Sequence, residues 1–235
     1  MKIAYVTDEE NRLMNAQAAA LSTRHEVDLI GSDDSTDGYD VVITAGNLPD
    51  VLAVDDDYYR TRTRPENEPL RVLLAGASQR ESDAVEHGYG AAAHARWFHQ
   101  KFDLVRVAPW APSREEPLDD VQEFHVALDE REMSRLMQTC DALIAQASGL
   151  TLLVAQALAA GVAVVMASTQ TVDCALSAPP EHAVELGEKL IELLSDSELR
   201  DRLRARGREV AEQWRSDANV ARLEEIIWTR AAKRP

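Results

Sequence analysis

LLVAQALAAGVAVVMAS, Leu152–Ser168, is the most apolar stretch of the chain, and its reading decides the fold. Its length approaches that of a bilayer-spanning helix. Three features argue against a span. Alanine is only weakly apolar, Gly161 divides an alanine-rich half from a β-branched half, and neither end carries aromatic or basic anchors. The stretch therefore predicts a helix over 150–160, a stop at Gly161 and a buried parallel strand over 162–166. Strands covered by helices on both faces read as unbroken apolar runs.

The same alternation extends outward from it. Upstream, DALIAQ predicts a strand and LDEREMSRLMQTC a helix, with Asp129 as its cap and Glu132 in the capping-box position. PLRVLLAGASQ opens another buried strand, Val72–Ala75, followed by a helix over 91–101. Strands over 102–110 and 121–125 come next. Downstream, helices are expected at about 180–194, 197–214 and 217–231, the middle one capped by Ser197. The N-terminal segment predicts strand KIAYVTD, a helix over 11–23, strand HEVDLIG and strand Val41–Thr44. Residues 47–69 are polar, acidic and proline-bearing, and read as a crossover.

The expected fold is α/β, with two Rossmann-like modules whose parallel sheets are flanked by helices. The N-terminal module, residues 1–68 with its linker, is strongly reduced. Residues 69–214 form the second module, and the helix over 215–235 is placed to cross back to the first.

Composition limits the partners. Forty-one acids against 25 bases give a net charge of −16, which repels nucleic acid and anionic lipid at long range. The arginines at 200, 202, 204, 206 and 208 are spread round a helix among acids, and are expected to be solvated. MKIAYVTDEE turns acidic within ten residues. Cys140 and Cys174 form neither a disulfide framework nor a paired metal motif. The expectation is a cytoplasmic protein with no nucleic-acid partner, no transmembrane segment and no protein-ligated metal.

In doubly wound sheets, ligands bind beyond the carboxyl ends of the strands, at helix N-termini. Three such ends, GASQ (76–79), QASG (146–149) and ASTQ (167–170), consist of small residues and amides or hydroxyls, which suits backbone amides approaching phosphate. Positive charge for a diphosphate would come from Arg80, His87, Arg96 or Arg114. His87 precedes a glycine-bearing turn, EHGYG, and reads either as an exposed ligand or as an ordinary surface histidine. Asp8 reads as a helix cap or as an acid at a cleft. Asp141 is taken as a strand-end carboxylate, and His94 and Trp97 as a packed pair.

In this order the elements resemble the retaining glycosyltransferases of the GT-B type, with two Rossmann modules, of glycosyltransferase family 4. RVLLAGA resembles the family's opening donor-side strand. EHGYG resembles its lysine-glycine site, with His87 and Gly88 in those positions. AQALAAGVAVVMAS resembles its Glu-Ala-Met-Ala-x-Gly-x-Pro-Val-Val segment, with Gln156 in the glutamate position and Ala163 in the proline position. The departures are specific. The family's two glutamates eight residues apart fall near Ser148 and on Gln156, and the arginine expected after the first strand is Ala77, with Arg80 nearby.

The resemblance implies transfer of a hexose from a nucleotide-diphosphate sugar to an acceptor, with retention and with no further cofactor. The donor would bind at Gly76, Ala77, Arg80, His87, Ser148, Gly149 and Gln156, and no catalytic residue is assigned. The alternative is a degenerate homologue that binds nucleotide-sugar or stabilises a partner. The reduced N-terminal module implies joining to a protein partner or a second copy. Gln156→Glu is expected to raise donor affinity.

Overall fold

The computed structural model describes residues 1–6, 12–22, 24–30, 34–37, 39, 41–44, 54, 56–60, 69–76, 82–98, 100–112, 116–146 and 151–231. The chain forms two compact units: residues 1–56 together with 212–235, and residues 57–211.

The smaller unit is built on a parallel sheet of β1 (Lys2–Val6), β2 (Glu26–Ile30) and β3 (Val41–Thr44), in the order β2-β1-β3. Helix α1 (Arg12–Ser22) connects β1 to β2. Its core of Ile3, Tyr5, Met14, Leu21, Val41 and Ile43 is completed by Val220, Leu223 and Ile227 of the C-terminal helix α7 (Ser216–Ala231). Val54 also returns to this end of the chain, its N–H donating to the Trp214 carbonyl at 2.8 Å. His25 and Arg24 both meet Glu224 of α7, at 2.9 and 3.2 Å.

The larger unit carries six parallel strands: β4 (Leu70–Ala75), β5 (Phe102–Ala108), β6 (Val121–Val126), β7 (Ala142–Ala145), β8 (Ala163–Ala167) and β9 (Ala175–Ala178). Their order is β6-β5-β4-β7-β8-β9. The chain thus steps outward from β4 to β6, then restarts on the other side of β4. That reversal opens a crevice at the carboxyl ends of β4 and β7.

Between the strands run α2 (Ser82–Trp97), α3 (Glu130–Met137), α4 (Leu152–Ala159), α5 (Ala183–Ser195) and α6 (Ser197–Ala211). Val72, Leu74, Ala142, Ile144, Ala163 and Val165 belong to one core cluster with residues of α2 and α5. The alternate residues Leu73, Leu143, Val164 and Met166 point to the opposite face and are also buried. The sheet is covered on both faces, which is why β8 reads as a continuous apolar run.

The stretch 152–168 folds as its pattern implies. Helix α4 ends in a Schellman motif: the Gly161 N–H donates to the Leu158 carbonyl at 3.0 Å, and the Val162 N–H to the Ala157 carbonyl at 2.9 Å. Gly161 has φ +70°, and a Cβ there would lie 2.5 Å from the Arg208 guanidinium. The left-handed backbone is what favours glycine here, since the guanidinium is the end of a flexible side chain and can shift. No helix among the described residues is long and apolar enough to cross a membrane. The capping box at α3 is also present, with Asp129 Oδ1 accepting from the Glu132 N–H and Glu132 Oε2 from the Asp129 N–H.

Several expectations are corrected. EHGYG is not a turn; it lies inside α2, which starts near residue 82 rather than 91. Its glycines serve close packing: a Cβ at Gly88 would lie 2.5 Å from Leu74 Cδ1, and one at Gly90 2.9 Å from the Ala183 Cβ of α5. Gly187 of α5 sits equally close to His94. Packing energy across this helix pair overrides the low helix propensity of glycine. β9, a short strand of small residues, was not expected. Helix α6 is capped by Asp196, whose Oδ1 accepts from the Leu199 N–H, not by Ser197. His94 packs on Phe98, with ring centroids 4.9 Å apart, and Trp97 is 81% exposed.

The arginine run is not uniformly solvated either. Arg200 is buried and donates to the Leu193 and Leu194 carbonyls, closing the C-terminal end of α5. Arg204 pairs with buried Asp141 at 3.0 Å. Asp141 precedes β7, so it stands at the amino end of the sheet; its other oxygen accepts from the Arg71 N–H at 2.7 Å. It is a structural anchor remote from the strand ends where ligands bind.

Candidate functional site

The crevice at the sheet reversal gathers part of the predicted set. Gly76 closes β4 with φ +149°, a conformation that favours glycine, and its N–H donates to the Val107 carbonyl at 3.1 Å. Gln146 closes β7 directly alongside. A Cβ on Gly88 of α2 would lie 3.3 Å from Gln146 Nε2, so α2 approaches the β7 end through its glycine. His87, one residue earlier, is half-buried on α2, and its side chain makes no hydrogen bond with a described residue. Ala77, Arg80, Ser148 and Gly149 lie outside the described residues, as do Asp8 and Arg114.

Helix α4 begins at Thr151, whose side chain accepts from the Val154 N–H at 3.4 Å. Gln156, on its second turn, is 2% exposed. Its Nε2 donates to Glu130 Oε2 at 2.9 Å, and that oxygen also accepts from the Tyr58 hydroxyl at 2.7 Å. Gln156 Oε1 is buried and has no hydrogen-bond partner among the described residues. Glu130 is the first residue of α3, delivered by the turn after β6, where Ala127 takes the left-handed region (φ 49°). Tyr58 belongs to a short 3₁₀ turn, Asp56–Tyr59, and is itself fully buried. No hydrogen bond joins His87 to Gln156 among the described residues.

Other charged groups are committed to the fold. Arg96 binds the Asp120 carboxylate, the Phe102 carbonyl and Gln122. Arg106, fully buried on β5, pairs with Glu116 at 2.8 Å, and the same Glu116 oxygen accepts from the Tyr89 hydroxyl at 2.8 Å. Burial first, and then the Glu116 carboxylate, push the Tyr89 phenol well above its usual range. Burial pushes the Cys140 thiol up to about 11, so it stays protonated and unreactive at neutral pH. Neither arginine is free to take a phosphate. No group of three or more metal-ligating side chains occurs among the described residues.

Sequence reasoning missed Glu130 and Tyr58. Glu130 was visible only as the residue after the α3 cap, and no local pattern joins it to Gln156, 26 positions away.

No family model matches the chain, and no curated protein sequence matches it. Solved structures do resemble it. WaaG, a glycosyltransferase involved in lipopolysaccharide biosynthesis, matches over 96% of this chain and 99% of its own, with TM-score 0.65 and 14% identity. HepE of Anabaena, solved with UDP and glucose, matches over 96% and 99%, with TM-score 0.61 and 10% identity. A glycosyltransferase from Rickettsia africae matches over 83% of this chain, with TM-score 0.58 and 14% identity, and there the chain spans only 58% of the other's length. The likeness is one of fold. The chain has the α/β architecture of the GT-B glycosyltransferases, parallel sheets flanked by helices.

Proposed function

We propose that the protein transfers a hexose from a nucleotide-diphosphate sugar to an acceptor hydroxyl with retention of configuration, in the cytoplasm and without a metal or organic cofactor. One observation carries this reading. The parallel sheet reverses between β4 and β7, and Gly76, Gly88 and Gln146 gather at the crevice this opens. The fold likeness supports it, since the compared structures are glycosyltransferases or hold UDP with a sugar.

In this reading the bond between the sugar's anomeric carbon and the diphosphate oxygen breaks. The acceptor oxygen bonds to that carbon on the same face, and the acceptor's proton leaves with the diphosphate. The N-terminal end of α4 and Gly76 lie at the strand ends where the departing charge would sit, and the sequence resemblance adds Ala77, Arg80, His87, Ser148, Gly149 and Gln156 to the donor site. His87 assists only when protonated.

Calorimetry with nucleoside diphosphates and their sugars, followed by a donor-hydrolysis assay, tests the proposal. Saturable binding with release of free sugar is the expected result, and absence of binding across the panel overturns it. Binding without turnover, with or without acceptors, selects a non-catalytic nucleotide-sugar-binding subunit instead. A protein partner or second copy would join through the smaller unit, where Leu29 and Trp228 are 52% and 57% exposed. A single monomeric species in sedimentation velocity would remove the second copy.

A further inference from the structure

Arg106 is among the largest fully buried side chains of the described residues, and it stands in register with Leu74 of β4 and Phe124 of β6. An apolar side chain would fill that place with no charge to desolvate, and a buried ion pair often adds no net stability over such a replacement. The geometry of the pair is also not that of greatest strength. A side-on arginine–carboxylate pair sets Nε and Nη2 against both carboxylate oxygens. Here Nε donates to one Glu116 oxygen at 2.8 Å, while Arg106 Nη2 and Glu116 Oε2 are buried with no hydrogen-bond partner among the described residues. The third nitrogen, Nη1, donates to the main chain: to the Val107 carbonyl and, at 3.5 Å, to the Leu74 carbonyl.

Those carbonyls stand at the carboxyl ends of β4 and β5. The Val107 carbonyl also receives the Gly76 N–H, so Arg106 and the Gly76 strand end share one anchor. On the other side, the Glu116 oxygen held by Arg106 accepts from the Tyr89 hydroxyl of α2 at 2.8 Å. Tyr89 follows Gly88, the point at which α2 closes on Leu74 and Gln146. One carboxylate thus ties the segment before β6, strand β5 and helix α2 together, and its arginine ties the ends of β4 and β5.

We propose that Arg106, Glu116 and Tyr89 are positioning residues of the crevice, a buried network that fixes α2 and the Gly76 strand end at the spacing at which a ligand meets them. The inference rests on the nucleotide-sugar reading for the identity of that ligand. The three residues act through Gly76 and α2, and their contribution is to geometry more than to stability. That separates them from an ordinary buried ion pair, whose loss lowers stability and function together.

The experiment replaces the pair by apolar side chains of similar length, R106M/E116M, in the full chain. Its melting temperature should hold or rise. Calorimetry with UDP, ADP and GDP should nevertheless show affinity falling roughly ten- to a hundredfold for whichever nucleotide the wild type binds, the scale of effect that a misplacement of about 1 Å can cause. In the ligand-free protein the Gly76 amide should exchange faster with solvent. Tyr89→Phe removes a single hydrogen bond and should show part of both effects; it carries the test alone if the double variant does not fold. Affinity that falls only in step with the melting temperature marks an ordinary structural pair and overturns the proposal. Unchanged affinity in a stable variant also overturns it and leaves the nucleotide reading intact. If the wild type binds no nucleotide, the nucleotide reading fails and the Gly76 amide decides. Faster exchange at an unchanged melting temperature then supports the network as the device that sets the strand end, and unchanged exchange overturns it.

Discussion

The two units reach stability by different routes. The larger one is contiguous, residues 57–211, with a six-stranded sheet covered on both faces and an internal ion pair, Asp141–Arg204. The smaller one has three strands, and its core closes only with a helix from the far end of the chain. A three-stranded sheet with one connecting helix buries too little apolar surface to stand alone. The chain's last helix supplies the missing layer. A reduced module thus persists by borrowing sequence, and a truncation that looks peripheral in the sequence is central in the fold.

That comparison is broken most directly by ending the chain at Ala211. Amide protection over β1–β3 should collapse in hydrogen exchange, while β4–β8 stay protected; loss in both units would show that the larger one is not self-sufficient. Asp141→Ala should act the other way. It removes the buried carboxylate that Arg204 and the Arg71 N–H share, at a cost of about 3–5 kcal/mol, read as a lowered denaturation midpoint of the larger unit. Leu223→Ala, at a fully buried α7 position, should cost the smaller unit about 2–5 kcal/mol and leave the larger unchanged.

Two smaller effects sharpen the picture of the larger unit. Gly88→Ala forces a methyl group against Leu74 and Gln146 and should cost about 1–3 kcal/mol, with nucleotide affinity falling as α2 shifts from the β7 end. An unchanged melting temperature would show that α2 has room to move. Asp129→Ala removes the α3 cap and should cost about 1 kcal/mol in chemical denaturation.

Much of the fold was legible because its signals are local. Val41–Thr44, the α3 capping box and the stop at Gly161 each follow from residues within a few positions of one another. α2 was misread at EHGYG because two glycines argue against a helix until Leu74 and Ala183 are seen to need the space. Arg200 was misread because an arginine on a charged helix looks solvated until two α5 carbonyls appear beside it. For the candidate site, Gly76 and Gln156 were legible as strand-end and helix positions. Their partners were not, since Tyr58, Glu130 and Gln156 come from three separate segments.

By itself the sequence determined most of the periodicities: the majority of the strands and helices, and that β8 is a buried strand covered on both faces. These follow from side-chain alternation and capping, which act over a few residues. Only the tertiary structure decided which charges are buried, where α7 goes, and that a glutamate stands against Gln156. Each of those depends on long-range burial, where desolvation makes an unpaired group costly and so fixes its partner across the chain.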